Sequence, residues 1–228
     1  MDAVAGGLEK IELFSGLPAE ALREIESTAR WLTFDAEQQV FDKSTDSLDV
    51  YFVVSGSVRI LGHAQGEREV ALANVLAGNY FGELAAIDRK ERSARVVAIE
   101  PSLLAALAGP AFVDIMMRYP VISLRVMERF ARIIRALDNR VTDLSTLSEV
   151  QRVYVELVRL TQPDPRRLGG WHIPDMPNHK EIASWAGTSR EAVAQAIGEL
   201  GRAGILERRS MNMVVHDWAK LQMMARQS

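Results

Sequence analysis

Between about residues 118 and 147 the apolar positions fall into one repeating stripe. Met127, Phe130, Ile134, Leu137, Val141 and Leu144 recur at intervals of three, four, three, four and three residues. That is the a/d spacing which keeps a shared seam in register between two paired helices. Pro120 stands near the start, no glycine interrupts the stretch, and the remaining faces carry Glu128, Arg129, Arg132, Arg135, Asp138 and Arg140. The pattern predicts a long helix that pairs in parallel with its own copy. An ordinary amphipathic helix inside one domain would spread its apolar positions over a wider face. Ile133 does widen the stripe, so one side of this helix is also expected to pack on its own chain.

Before the stripe the periodicity differs. Residues 8 to 30 read as helical through Leu13, Leu17, Leu22 and Ile25, with Leu17-Pro18 opening a short helix. From Trp31 the chain breaks into short runs rich in valine, isoleucine and aromatics: Val50 to Val54, Val58 to Leu61, Val70 to Leu72 and Val96 to Ile99. Gly56, Gly62, Gly66, Gly78 and Gly82 separate them. Many short strands with glycine turns predict an antiparallel sandwich or barrel, a form whose interior can hold one small ligand. Pro101 to Tyr119 reads as one or two short helices leading into the long one. After Leu147, Ser148 is placed to cap a helix over Glu149 to Leu160 with Val153, Leu157 and Leu160 inward. Pro163, Pro165, Gly169, Gly170, Pro174 and Pro177 mark a turn-rich connection beyond it.

Length and composition add limits. A chain of 228 residues suggests one or two domains with cores of their own. No apolar run is long enough to span a membrane, and residues 1 to 10 lack the pattern of an export signal. Cysteine is absent, which excludes disulfides, thiolate-held iron-sulfur clusters and cysteine nucleophiles, and suits a reducing cytoplasm. Residues 1 to 149 carry 16 Lys and Arg against 22 Asp and Glu, whereas residues 150 to 228 carry 11 against 8. A basic C-terminal third on an acidic whole points weakly to nucleic acid.

Two stretches carry chemistry. In the first, Tyr80-Phe81-Gly82-Glu83-Leu84-Ala85-Ala86-Ile87-Asp88 precedes Arg92-Ser93-Ala94. A glycine entering a short helical turn exposes backbone N–H groups that bind an anionic oxygen. An arginine can fork onto phosphate, a serine can add a donor, and a carboxylate can accept from ribose hydroxyls. The same residues also fit a plainer role, Gly82 permitting a turn and Glu83 pairing with Arg92 at the surface.

In the second, residues 178 to 200 place Ile182 and Ala183 inward on one helix, turn at Gly187, and restart at Ser189 on a helix whose inner face is Val193, Ile197 and Leu200. This is the form of a helix-turn-helix, whose second helix enters the DNA major groove. Arg190, Glu191, Ala194 and Gln195 would face outward, where arginine pairs with guanine, glutamate accepts from cytosine and glutamine pairs with adenine. Such helix pairs also occur as plain packing units. Ile205 to Arg209 and Met213 to His216, around Ser210 to Asn212, read as a hairpin wing, with Arg208 and Arg209 suited to phosphate.

The Phe81-Gly82-Glu83-Leu84 to Arg92-Ser93-Ala94 segment resembles the phosphate-binding cassette of cyclic-nucleotide-binding domains. With the long helix and Thr188-Ser189-Arg190-Glu191 following in order, nearly the whole chain resembles the bacterial Crp-Fnr regulators, cyclic AMP receptor protein branch. The resemblance implies an α+β protein: an antiparallel β-roll, jelly-roll-like, over residues 1–117, a central dimerisation helix over 118–147, and a winged helix-turn-helix over 148–228. It implies a homodimer that binds double-stranded DNA and a cyclic mononucleotide, with RNA polymerase as a candidate further partner and no covalent cofactor, metal or membrane. Ligand contacts would be Glu83 on the ribose, and Arg92, Ser93 and backbone around Gly82 and Leu84 on the phosphate. Arg190 and Glu191, capped by Ser189, fall on the base-reading positions, and the ends of the two central helices, near Ser145 to Glu149, would act as a hinge.

Two positions depart from that branch. Gln195 replaces an arginine of the recognition helix, which changes one base of the half-site. Leu137-Asp138 replaces the Thr-Ser pair that faces adenine. A carboxylate accepts both donors on the guanine edge but meets a lone pair on adenine, so Asp138 favours cyclic GMP over cyclic AMP; alternatively it faces solvent and pairs with Arg135. Other readings are a regulator that responds to cyclic di-GMP or needs no ligand, and a ligand-binding scaffold without a DNA role. An enzyme finds no support. His63, His172, His179 and His216 are scattered, and neither a P-loop, a glycine-flanked serine nor a His-Glu-x-x-His motif is present.

Overall fold

The computed structural model describes residues 7–63 and 69–226; Gly66 lies outside the described residues, as does the His63 side chain. The chain divides into two compact units, residues 1–133 and 134–228. The division falls within the long helix α4 (Pro120–Thr146).

The first unit opens with two 3-10 turns, Leu8–Lys10 and Glu12–Phe14, and helix α1 (Ala19–Thr28), entered at Pro18. Among the described residues eight antiparallel strands follow: β1 (Arg30–Phe34), β2 (Gln39–Phe41), β3 (Val50–Ser55), β4 (Ser57–His63), β5 (Glu69–Leu76), β6 (Tyr80–Phe81), β7 (Arg95–Ala98) and β8 (Ser102–Leu107). Helix α2 (Glu83–Asp88) lies between β6 and β7, and helix α3 (Gly109–Arg118) leads to α4. The strands form two sheets, ordered β1-β8-β3-β6 and β2-β7-β4-β5.

The unbroken apolar run Val50 to Val54 follows from burial on both faces of β3. Tyr51 and Val53 point into the inter-sheet core with Phe41, Val58, Phe81, Val96 and Leu104. Val50, Phe52 and Val54 point the other way, onto Phe14, Phe112, Ile122 and Val126 of the helical layer. Neighbours Tyr80 and Phe81 divide in the same manner, Tyr80 to the helices and Phe81 to the inter-sheet core.

Two expectations are corrected here. Residues 102–107 are not helical: β8 runs between β1 and β3, pairing Leu104 with Leu32 on one side and Val53 on the other. Its Leu-Leu-Ala-Ala-Leu sequence has helical propensity, but a central strand covered on both faces needs only small and apolar side chains, and tertiary pairing overrides propensity. One side of α4 does pack on its own chain, through Ile122, Val126 and the partly buried Phe130, but Ile133, the residue that suggested it, is 42% exposed.

In the second unit, α5 (Glu149–Leu160) starts at a capping box in which Ser148 accepts from the Gln151 N–H and Gln151 reaches back. Val153 and Leu157 are buried and Leu160 packs beside them. The turn-rich connection contains two short strands, β9 (Gln162–Pro163) and β10 (Trp171–Ile173), which complete a sheet ordered β11-β12-β10-β9. Prolines at 163 and 165 hid β9, an edge strand where a missing N–H is tolerated. The other strands are β11 (Leu206–Arg209) and β12 (Asn212–Val215); helices α6 (His179–Ala186), α7 (Arg190–Arg202) and α8 (Trp218–Arg226) complete the unit.

The expected hinge at residues 145–149 is braced within this unit. Arg159 bonds Asp143 at 2.7 Å, and Arg152 donates to the Leu147 carbonyl at 2.9 Å. No helix of the described residues is long and apolar enough to cross a membrane.

Candidate ligand site and nucleic-acid interface

At the end of β6 the backbone turns through Gly82 at φ 86°, a left-handed conformation. A β-carbon there would stand 2.8 Å from Arg92 Nη1 and 2.9 Å from the Asp49 carbonyl oxygen, so glycine is demanded by space as well as by φ. Arg92 is 3% exposed. It donates to the carbonyls of Gly82 (3.1 Å) and Asp49 (2.8 Å) and to Ser47 Oγ (3.2 Å), with its guanidinium 4.2 Å above the Phe41 ring. Its Nε–H is buried without a partner. Burial lowers the Arg92 pKa, opposed by Tyr51, Asp49 and Glu83.

Glu83, the first residue of α2, is 6% exposed. Burial raises its carboxyl above the ordinary range, against the pull of Arg129, its own backbone N–H and Arg92. The surface ion pair entertained from sequence therefore fails, since neither Glu83 nor Arg92 is at the surface. A buried acid and a buried arginine beside a left-handed glycine form a cradle able to take up a phosphate and a hydroxyl-bearing sugar. Ser93 and the Leu84 side chain are exposed.

The structure thus gathers Gly82, Glu83 and Arg92 within the first unit. Leu137 and Asp138 belong to the second, on an exposed stretch of α4. Sequence reasoning missed Phe41, Ser47 and Asp49, which hold Arg92 from more than 40 positions away, and Arg129, which stands 4.1 Å over the Tyr80 ring. Burial pushes the Tyr80 hydroxyl up to about 12, although Arg129 lowers it. Tyr80 also lines a cavity of about 340 Å³ in this unit. There Glu12 and Glu128 balance Arg129 and Arg132, while Arg125 is spent on the Leu13 and Ser15 carbonyls.

Helix α6 begins at a capping box of Asn178 and Glu181 and ends at Gly187, φ 59°. Ser189 then caps α7 by accepting from the Ala192 N–H at 3.1 Å. Arg152 fastens the turn, donating to the carbonyls of Ala186 (2.8 Å) and Gly187 (2.9 Å). Val193, Ala196 and Leu200 are buried, leaving Arg190, Glu191, Ala194 and Gln195 outward as the spacing predicts. Gln195 Nε2 donates to Glu199 Oε1 at 2.9 Å, and the Tyr154 hydroxyl donates to Glu199 Oε2 at 2.8 Å. Those two bonds, Gln195 first, hold the Glu199 carboxyl below its usual range.

The wing turns at Ser210, φ 58°. Arg208 Nε meets the Ser210 carbonyl at 3.4 Å and Arg209 pairs with Glu207 at 3.0 Å, both exposed. Along the α4 stripe, Met127, Ile134, Leu137, Val141 and Leu144 are all more than half exposed.

A β-roll with a buried Gly-Glu/Arg cradle, joined through a long helix to a winged helix-turn-helix, is the architecture of a transcription regulator with a small-ligand domain. Residues 31–119 match the cyclic nucleotide-binding domain, and residues 151–224 match the Crp-like helix-turn-helix domain. The cyclic AMP receptor protein of Thermus thermophilus is 30% identical over 194 residues, 85% of this chain and 87% of that protein. The CRP-like cAMP-activated global transcriptional regulator of Mycobacterium tuberculosis is 24% identical over 220 residues, covering 96% and 98%. In fold, the chain resembles a mutant of CooA from Carboxydothermus hydrogenoformans, TM-score 0.76 at 22% identity over 93% of each chain. It also resembles the c-di-GMP responsive regulator CLP of Xanthomonas campestris, TM-score 0.68 at 19% identity, covering 88% of this chain and 100% of that one. The chain belongs to the Crp family: it is a cyclic-nucleotide-binding, DNA-binding transcription regulator and not an enzyme.

Proposed function

We propose that the protein is a cytoplasmic homodimer that reads a pseudo-palindromic operator when a cyclic mononucleotide fills the β-roll, cyclic GMP being favoured over cyclic AMP. The observation that carries the ligand half is the cradle of Gly82, Glu83 and Arg92, with both charged side chains buried. Glu83 would accept from the ribose hydroxyl; Arg92 and Ser93, with backbone N–H groups near Gly82 and Leu84, would hold the cyclic phosphate. The guanine preference rests on Asp138, whose carboxylate suits the two donors of the guanine edge.

The dimer rests on the apolar seam of α4. Five of its six side chains stand more than half exposed in the single chain, and pairing with a second copy would cover them. Phe130 would contribute from the partly buried end. A parallel dimer presents two copies of α7 to half-sites roughly 34 Å apart, with Arg190, Glu191 and Gln195 at the bases and Arg208 and Arg209 at phosphates. Full switching by ligand requires a differential affinity of about 5.5 kcal/mol, which two sites can share. RNA polymerase is the further partner such a regulator would engage.

Calorimetric titration with cyclic AMP, cyclic GMP and cyclic di-GMP tests this reading. Tight binding of cyclic GMP at one site per chain is expected. Binding of cyclic di-GMP alone, or of none of the three, would overturn the assignment.

A further inference from the structure

Among the described residues, Gln195 is the outward side chain of α7 held from behind by a chain of hydrogen bonds that reaches the core. Its amide nitrogen donates to Glu199 one turn later, and Glu199 accepts in turn from Tyr154. Tyr154 is 4% exposed and packed among the core residues of its unit. An ionised carboxylate has lone pairs and no proton, so it can hold the nitrogen end of an amide and repels the oxygen end. The Tyr154 hydroxyl occupies the other Glu199 oxygen, which keeps the carboxylate from turning away. Glu199 stays ionised at neutral pH, its pKa lowered by these same two bonds.

We propose that Tyr154 and Glu199 are positioning residues for base recognition: they fix the Gln195 amide so that its carbonyl oxygen and second amide hydrogen face the major groove. This inference rests on the proposed DNA reading and deepens it. An outward acceptor beside an outward donor matches adenine, which offers the N6 amino group and the N7 acceptor. It opposes guanine, whose O6 would meet the amide oxygen. A glutamine free to rotate by 180° presents either order and discriminates less. The braced glutamine therefore specifies adenine at one position of each half-site, where the resembling branch carries an arginine.

The test is selection of operators from a randomised duplex library by the full-length protein, with cyclic AMP and cyclic GMP both present. The parent should enrich a palindrome with adenine at one position per half-site. Glu199→Gln, which keeps the shape but can accept or donate, should lower the adenine-over-guanine preference there by about fivefold or more while the rest of the palindrome persists. Tyr154→Phe should lower it less. In a Gln195→Ala background, Glu199→Gln should change nothing, which a general structural role would not produce. Unchanged adenine preference in Glu199→Gln, another base at that position in the parent, or an even loss at all positions would overturn the proposal. A parent that enriches no palindrome would instead overturn the DNA reading itself.

Discussion

Leu144 of α4 stands directly against Gly187 in the turn of the helix-turn-helix: a β-carbon at Gly187 would lie 2.7 Å from Leu144 Cδ2. Gly187 is thus constrained twice, by its left-handed φ of 59° and by a side chain of the long helix. Gly187→Ala should cost about 1 to 2 kcal/mol for the backbone conformation plus a steric share. Adding Leu144→Ala should return only the steric share. Denaturant midpoints of the two single variants and the double variant check this; strict additivity would remove the contact from the account.

Arg152 closes the same junction with one guanidinium on three carbonyls, those of Leu147, Ala186 and Gly187. Arg152→Ala should cost about 1 to 3 kcal/mol by leaving partly buried acceptors unmet. Arg152→Lys should recover little, because a point ammonium cannot span the spread that a planar fork covers. Full recovery by lysine in thermal unfolding would mean that charge, not geometry, is what matters there.

Glu83 makes the ligand cradle a cost to the fold. Its folded-state pKa is raised by burial, so through the window from the ordinary carboxylate value up to the raised one the folded chain binds more protons than the unfolded chain. Stability must fall as pH rises through that window, and below it the acid is neutral in both states and the ionisation penalty vanishes. Glu83→Gln, neutral throughout, should match the parent in acid and exceed it at neutral pH while losing cyclic nucleotide binding. Parallel pH profiles of Tm for the two proteins would contradict the raised value.

For nucleotide choice, Asp138→Ala should weaken cyclic GMP by about 1.5 kcal/mol, the range of hydrogen bonds to a charged group, and leave cyclic AMP unchanged or improved. Competitive titration reads both. An equal loss for the two nucleotides would deny Asp138 a contact with the base.

Base and phosphate contacts separate by salt. Arg190→Ala should cost about 1 to 3 kcal/mol on the cognate operator and relax one position, with nucleotide binding intact. Arg208→Ala should weaken all duplexes alike and reduce the salt-dependence slope by about 1. The reverse assignment of these two signatures would displace α7 from the groove.

How much of this was legible in the sequence depends on range. Gly187, Ser189 and the Asn178/Glu181 box act within one turn of chain, so the helix-turn-helix can be read residue by residue. The strand at residues 102–107 could not be: with both faces buried it shows no alternation, and its leucines and alanines favour helix until β1 and β3 flank it. Gly82, Glu83 and Arg92 were visible as ingredients, but their burial was not. The residues that set the guanidinium, Ser47 and Asp49, precede it by 45 and 43 positions. The bond between Tyr154 and Glu199 likewise spans 45 positions, and no local pattern announces it.

The hydrogen bonds of Arg92 have a kinetic consequence. Of its five N–H donors three are engaged by Gly82, Ser47 and Asp49, which leaves, among the described residues, Nε–H and one hydrogen of Nη1. A phosphate entering the cradle as proposed would meet these two donors first and would gain the others by displacing oxygens of the protein itself. Capture would then be in part a substitution rather than an encounter, and its rate would report how readily the segment bearing Ser47 and Asp49 gives up the arginine.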